Sequence, residues 1–296
     1  MNILLIGSSN TDMVVKTQKL PAPGETVIGG TFLMNPGGKG ANQAVAAARL
    51  GASVRLVAKV GNDLFGEQAV EGFRKEGIDT AAIVKDDGPS GVALITVDDQ
   101  GENCIVVAPG ANGNLQPDEV EAAIDACSPN DIVLLQLEIP LATVEYAIRR
   151  SAQRGLRVIL NPAPAQRLAT DLLSHLYLIT PNETEAELLT GIPVTEESVG
   201  KAARALQDMG VSHVVITLGA RGAYILSGEF EGIVEGVAVK AIDSTAAGDC
   251  FNGALAVGLA EGVSLRDSVA FACKAAALSV TRLGAQSSMP YRHEVS

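Results

Sequence analysis

The alternation of two hydrophobic periods constrains this chain most. Short, nearly continuous apolar runs lie at 3–6, 54–58, 132–137, 157–160, 177–180 and 213–218. Between most of them lie stretches with apolar residues at helical spacing, at 39–50, 64–76, 117–127, 141–154, 196–209 and 264–281. Strands buried on both faces read as unbroken apolar runs, whereas half-exposed strands alternate. The pattern therefore predicts an α/β fold: a central, mostly parallel, Rossmann-like sheet with helices on both faces. Residues 12–34 and 91–108 break the rhythm. The first stretch has strand-like pieces, prolines and glycines but no helix. The second reads as a hairpin, VALITV and NCIVV around a DDQG turn. Together they predict a small inserted β-sheet lid over the C-terminal edge of the main sheet, where open α/β folds bind ligands. With no repeat or long linker, one domain over 1–296 is expected, its lid contributed by about 12–34 and 91–108.

Charge and cysteine usage exclude some functions. The 22 Lys and Arg against 34 Asp and Glu give a net charge of −12. A nucleic-acid binder would need a basic face to neutralise phosphates. A small anion is still accommodated, because a few backbone N–H groups can hold a phosphate inside an acidic protein. The four cysteines, Cys104, Cys127, Cys250 and Cys273, form no CxxC pair, which favours buried free thiols in a reducing compartment. The N-terminal apolar run is too short for a secretory signal, and no stretch reaches the roughly 18 apolar residues of a membrane span. A cytoplasmic protein without a membrane partner is expected.

Four segments carry chemistry. The strongest is 243–253 (DSTAAGDCFNG), between the strand-like 237–242 and the helical 254–260. Ala246, Ala247 and Gly248 would leave N–H groups open at the positive end of a helix dipole, an anion hole. Asp249 would stand beside it as a base, or serve as a first-turn carboxylate. The segment 35–43 (NPGGKGANQ) is neither a P-loop nor a dinucleotide fingerprint. Its glycines would let the backbone approach a ligand, or form a helix entry, and Asn42 offers a sugar hydroxyl both a donor and an acceptor. The segment 7–12 (GSSNTD) brings Asn10 and Asp12 to the end of the first strand, in a ligand contact or a plain turn. Finally, 182–185 (NETE) and 217–222 (TLGARG) follow strands. The former could orient hydrated Mg²⁺, begin a helix, or do both. The histidines, His175, His213 and His293, have no metal spacing and receive no role.

GGKGANQA and DSTAAGDCFNG, in this order, resemble the two signature regions of the ribokinase-like (PfkB) carbohydrate kinases. The likeness extends to 21–26 (PAPGET), 110–112 (GAN), 136–138 (QLE), 161–165 (NPAPA), 181–187 (PNETEAE), 216–219 (ITLG) and 280–288 (VTRLGAQSS), essentially the whole chain. The resemblance implies ATP-dependent phosphorylation of the 5-hydroxyl of D-ribose, with deoxyribose, a nucleoside or another sugar as the alternative substrate. It makes Asp249 the general base and the backbone of Ala246, Ala247 and Gly248 the anion hole. Sugar contacts fall on Asn10, Asp12, Gly38, Lys39, Gly40, Asn42, Glu138 and Asp249. ATP contacts fall on Asn182, Thr217, Leu218, Gly219, Ala220, Arg221, Gly222, Gly248 and Asp249. Cys273 stands near the adenine, where the family often has Asn or His. Asn182 and Glu185 match the motif linked to Mg²⁺. A K⁺ site would use Asp243, Thr245, Ser279, Arg282, Gly284 and Ser288, several through carbonyls. The lid implies a homodimer.

Overall fold

A computed structural model describes residues 2–295. The strands of the first half are β1 (Asn2–Ile6), β2 (Asn10–Lys16), β3 (Thr31–Gly37), β4 (Ser53–Gly61), β5 (Ile83–Asp86), β6 (Gly91–Val97) and β7 (Asn103–Ala108). Those of the second half are β8 (Ile132–Leu135), β9 (Arg157–Leu160), β10 (Leu178–Ile179), β11 (His213–Thr217), β12 (Gly222–Leu226) and β13 (Glu231–Glu235). The helices are α1 (Lys39–Arg49), α2 (Leu64–Lys75), α3 (Pro117–Asp125), α4 (Leu141–Gln153), α5 (Thr170–Leu173), α6 (Glu183–Thr190), α7 (Val199–Asp208), α8 (Ala247–Ala260), α9 (Leu265–Ser279) and α10 (Arg292–Val295).

The main sheet runs β13-β12-β11-β10-β9-β8-β1-β4-β5. Its pairings are parallel except at the β11–β12 and β12–β13 edge. Alternate residues of β1 enter opposite layers. Ile3 and Leu5 pack with α1, α8 and α9, while Leu4 and Ile6 pack with α3, α4 and α7. The expected three-layer α/β architecture is therefore present. Helix α8 is buried from Asp249 to Ala260, as a helix that is apolar nearly all round must be.

The second sheet runs β3-β2-β6-β7, with β2–β6 parallel and its other pairs antiparallel. Its strands extend the expected lid segments slightly, from Asn10 to Gly37 on one side. Phe32, Leu33, Met34, Leu94, Ile105, Val106 and Val107 are exposed on it.

Three expectations fail locally. Residues 237–242 form no strand: the chain leaves the sheet edge after β13 and finds no ladder partner there. Strands β12, β13 and β5 lie outside the runs read from the sequence: β13 (EGIVE) alternates in exposure and β5 (IVKD) has only two apolar residues, while β12 (GAYIL) is a short buried apolar run that was passed over. All four cysteines are free, but only Cys250 and Cys273 are buried. Cys127 is half-buried and Cys104 is exposed on β7.

Helices α1 and α8 touch where Gly253 lacks a side chain. A Cβ there would lie 2.7 Å from Ala46 Cβ and 2.8 Å from the Gln43 carbonyl oxygen. Gly253→Ala should therefore destabilise the protein. Overpacking costs about 1–3 kcal/mol, which exceeds the roughly 0.5–1 kcal/mol that Ala gains over Gly in a helix. Urea unfolding should show a lower midpoint; an unchanged or higher midpoint would mean that the two helices separate freely.

Candidate active site

The site begins where α1 meets the junction of β1 and β2. Gly38, the residue before α1, has φ +89°, and a Cβ on it would lie 2.7 Å from the Asn10 nitrogen. A Cβ on Gly40 would lie 2.5 Å from the Ser8 nitrogen. These glycines are needed for close approach, as expected, but what they approach is the protein's own backbone. Glu138, just beyond β8, ties the junction together. Its Oε2 accepts from the Ser8 hydroxyl at 2.6 Å and from the Lys39 backbone N–H at 2.9 Å.

Across from α1, the chain enters α8 through Ala246, whose φ of 58° is left-handed. Such a conformation in a residue with a Cβ stores strain, of order 1–3 kcal/mol. The turn it makes aims the start of α8 at α1. Asp249, 5% exposed, lies in the first turn. Asn42 Nδ2 donates to its Oδ2 at 2.9 Å, and Gln43 Nε2 donates to its Oδ1 at 3.0 Å. Burial pushes the Asp249 carboxyl above the usual range, while Lys39 and the two amides pull it back in part. Burial likewise opposes the charge on Lys39, but Asp249, Glu138, Glu185 and Asp12 together more than offset it and raise its pKa. One of the N–H groups expected to stay open at the start of α8 is engaged. The Ala247 N–H donates to the Ser244 carbonyl at 3.2 Å, while the Gly248 and Asp249 N–H groups have no carbonyl one turn earlier to bind.

A cleft of about 220 Å³ opens at this point. It brings together Lys39, Asn182, Glu185, Thr217, Ala246, Ala247, Gly248 and Asp249 from the expected set, and adds Asn161, Ala163, Thr180, Ser244 and Asn252. Both readings of NETE are compatible here. Asn182 Oδ1 accepts from the Glu185 N–H at 2.8 Å, and Glu185 Oε2 accepts from the Asn182 N–H at 2.9 Å, a reciprocal cap of α6. Burial raises the Glu185 carboxyl pKa, with the Asn182 N–H and Lys39 opposing and Asp249 reinforcing.

The other expected residues separate by position. Asn10 and Asp12 stand on β2 at the lid base. Asn112 Nδ2 donates to Asn10 Oδ1 at 2.7 Å, leaving the Asn10 amide nitrogen without a protein acceptor. Gly219, Ala220 and Arg221 are exposed, and Arg221 pairs with Glu183. Leu218 and Cys273 are buried in the two core layers and are absent from the cleft lining. A Gly222 Cβ would strike the Val234 carbonyl oxygen at 2.1 Å, so this glycine serves strand pairing. Asp243 and the 279–288 loop do converge. Gly284 N–H donates to Asp243 Oδ2 at 2.8 Å, and Ile242 and Asp243 N–H both donate to the Val280 carbonyl. The side chains of Ser279, Ser288 and Arg282 are engaged elsewhere, with Ala276, Ala285 and Glu294.

Residue-by-residue reading passed over Ser8, Gln43, Asn112, Gln136, Asn161, Thr180 and Asn252. All of these except Thr180 lie in the quoted motifs, yet carried no assigned role. The available signal was an uncharged polar residue inside or next to an apolar run, which requires a buried partner.

The fold and the cleft set a buried carboxylate, Asp249, at the start of a helix in a three-layer α/β protein that carries a small second sheet. Residues 1–292 match the pfkB family of carbohydrate kinases. A ribokinase from Haemophilus influenzae is 45% identical, the alignment covering 99% of this chain and 96% of the relative. A deoxyribokinase from Salmonella typhi is 38% identical over 98% of this chain and 96% of the relative. The structure of Arabidopsis thaliana ribokinase complexed with ribose and ATP superposes with a TM-score of 0.90, at 32% identity, covering 99% of this chain and 97% of that one. The chain belongs to the PfkB family of carbohydrate kinases.

Asp12 yields a pH test. Burial and the nearby Glu138 and Asp249 carboxylates push its pKa from 3.8 up to about 6, with Lys39 opposing. The native state thus holds this proton to higher pH than the unfolded chain does, and stability declines as pH rises between those values. Asp12→Asn should raise the melting temperature at pH 7–8 and lose that advantage below about pH 4. A variant equally or less stable at both pH values would contradict the shift.

Proposed function

We propose that the protein transfers the γ-phosphoryl group of ATP to the 5-hydroxyl of D-ribose, giving D-ribose 5-phosphate and ADP. The observation that carries this is Asp249, a buried carboxylate held by two amides at the positive end of α8, beside unspent N–H groups. Asp249 takes the proton of the sugar hydroxyl as its oxygen attacks the γ-phosphorus and ADP leaves. The Gly248 and Asp249 N–H groups stabilise charge on the moving phosphoryl group. Asn10, Asp12, Lys39, Asn42 and Glu138 read the sugar hydroxyls, with the Gly38–Gly40 turn shaping their floor. Asn42 Oδ1 is a buried acceptor with no protein donor, as a residue awaiting a hydroxyl would be. The nucleotide lies along Asn182 and the 217–222 segment. Backbone groups serve at Leu218, and Cys273, 7% exposed, stands nearest the adenine.

The donor sets suit both cations. One Glu185 oxygen accepts no protein hydrogen bond and lies in the cleft with Asn182, an oxygen environment fit for hydrated Mg²⁺. When bound, Mg²⁺ neutralises charge on the ATP phosphates. Around Asp243, the carbonyls of Thr245, Arg282 and Gly284 accept no backbone hydrogen bond. These carbonyls suit K⁺, a large ion of low charge, whose role would be to shape the neighbouring α8 turn. The exposed apolar strands of the lid fit a homodimer joined lid to lid, with the lid an insertion in a single kinase domain. No helix among the described residues is long and apolar enough to cross a membrane.

Substrate choice turns on Asn10. Asn112 fixes its amide so that a donor remains for a hydroxyl. A site built to bond a hydroxyl rejects an analogue lacking it, since its own polar group is left unpaired. The expected result is a higher kcat/KM for D-ribose than for 2-deoxy-D-ribose, with Asn10→Met narrowing the gap by weakening ribose. Preference of the unmodified protein for deoxyribose would overturn this reading. In a separate assay, replacing Na⁺ by K⁺ at constant ionic strength should raise turnover; equal rates would remove the cation site.

A further inference from the structure

The polar groups behind Asp249 form a chain that sugar and nucleotide contacts do not account for. Gln43 has no exposed surface. Its Nε2 donates to Asp249 Oδ1 and to Asn161 Oδ1, each at 3.0 Å. Its Oε1 accepts from Gln136 Nε2 at 2.6 Å. Asn161 Nδ2 donates onward to the Thr180 carbonyl at 3.2 Å, and the Thr180 hydroxyl donates to Asn252 Oδ1 at 2.5 Å. Asn252 Nδ2 closes on the Gly248 carbonyl at 2.8 Å. The network therefore touches both the carboxylate and the first turn of α8.

The direction of these bonds is fixed. A side-chain amide has a donor end and an acceptor end. If Gln43 turned over, its Oε1 would face two acceptors, Asp249 and Asn161, while its Nε2 would face the Gln136 donor. Gln136 is itself fully buried, and its Oε1 has no partner. A Cβ on Gly7 would lie 2.2 Å from that atom, so the end of β1 has to be glycine for Gln136 to sit here. A buried polar group left unpaired is costly, yet this arrangement leaves Gln136 Oε1 bare and gives Gln43 a donor.

We propose that Gln43 and Gln136 are positioning residues of the transfer reaction: Gln136 sets which end of the Gln43 amide faces Asp249, and Gln43 holds the carboxylate in its proton-accepting orientation. This rests on Asp249 being the base. The charged groups around that carboxylate are Lys39 from α1, Glu138 from beyond β8, Asp12 from β2 and Glu185 from α6. None of them is altered by changing either glutamine.

The test uses Gln43→Met, Gln136→Met, the double variant and Gln136→Glu, with Asp249→Asn in parallel. Gln43→Met should lower kcat on the order of 10–100-fold, as displaced catalytic groups do, while the KM for ATP stays within about twofold. The acidic limb of kcat/KM should move to higher pH, because the carboxylate loses a donor that favours its charged form. Gln136→Met should act in the same direction but more weakly, and the double variant should match Gln43→Met alone, since one residue acts through the other. Gln136→Glu can only accept while it is ionised, so above the pH at which it loses its proton it should turn the Gln43 amide over and lower kcat further than Gln136→Met. It also decides the matter by the same readouts if Gln43→Met does not fold. Wild-type kcat and pH limb in folded Gln43→Met, or losses that multiply in the double variant, would overturn the proposal. Wild-type turnover by Asp249→Asn would instead defeat the assignment of the base, whatever the glutamine variants do.

Discussion

A carboxylate removed from water must be held by donors, or it takes up a proton and stays neutral. Asp249 is that group here, and much of the architecture answers to it. Its two oxygens accept from Asn42 and Gln43 on α1, so α1 and α8 must lie within hydrogen-bond reach. Gly253 permits that approach on α8, and Gly38 and Gly40 permit the docking of α1 against β1. Lys39 supplies the nearby positive charge. The result is a carboxyl whose pKa is raised by burial, though restrained by these partners.

The same convergence explains why the cleft lies where it does. Parallel strands bring their C-terminal ends to one edge: the segments after β1, β8, β9 and β10 contribute Ser8, Glu138, Asn161 and Asn182, and the end of β11 contributes Thr217. The lid sheet grows from that edge through β2 and carries Asn10 and Asp12. Its strands leave Phe32, Leu33, Met34, Leu94, Ile105, Val106 and Val107 exposed, a contiguous apolar surface of the kind that marks an interaction site. Asp12 illustrates the tension between function and stability. Holding its carboxyl near Glu138 and Asp249 disfavours its ionisation, a local burden carried by the surrounding fold.

The layers were legible in the sequence because each parallel strand is a short apolar run and each helix carries its own period. The lid was legible because residues 12–34 and 91–108 lack that helix period. The β12–β13 edge was not: β13 alternates in exposure, and β12 is a short apolar run bounded by Gly222 and a turn at 227–230. Residues 237–242 misled for the opposite reason: β-branched Val237, Val239 and Ile242 read like a strand but face solvent and pair with no strand of the sheet. Asp249 and Asn42 could be read from motif and chemistry. Gln43 and Gln136 could not, because an amide's role depends on which of its two ends faces which neighbour. Leu218 and Cys273 show the converse. Their positions in the chain matched a nucleotide-binding pattern, but their side chains belong to the core.

The central claim is that Asp249 takes the proton from the sugar hydroxyl. Asp249→Asn keeps the size of the side chain and removes the base. The decisive measurement is its turnover of D-ribose with saturating ATP, together with ATP affinity by calorimetry. The account predicts a loss of about 10²–10⁴-fold in kcat, the usual range for general-base catalysis, with ATP binding largely retained. Turnover near that of the unmodified protein would contradict it.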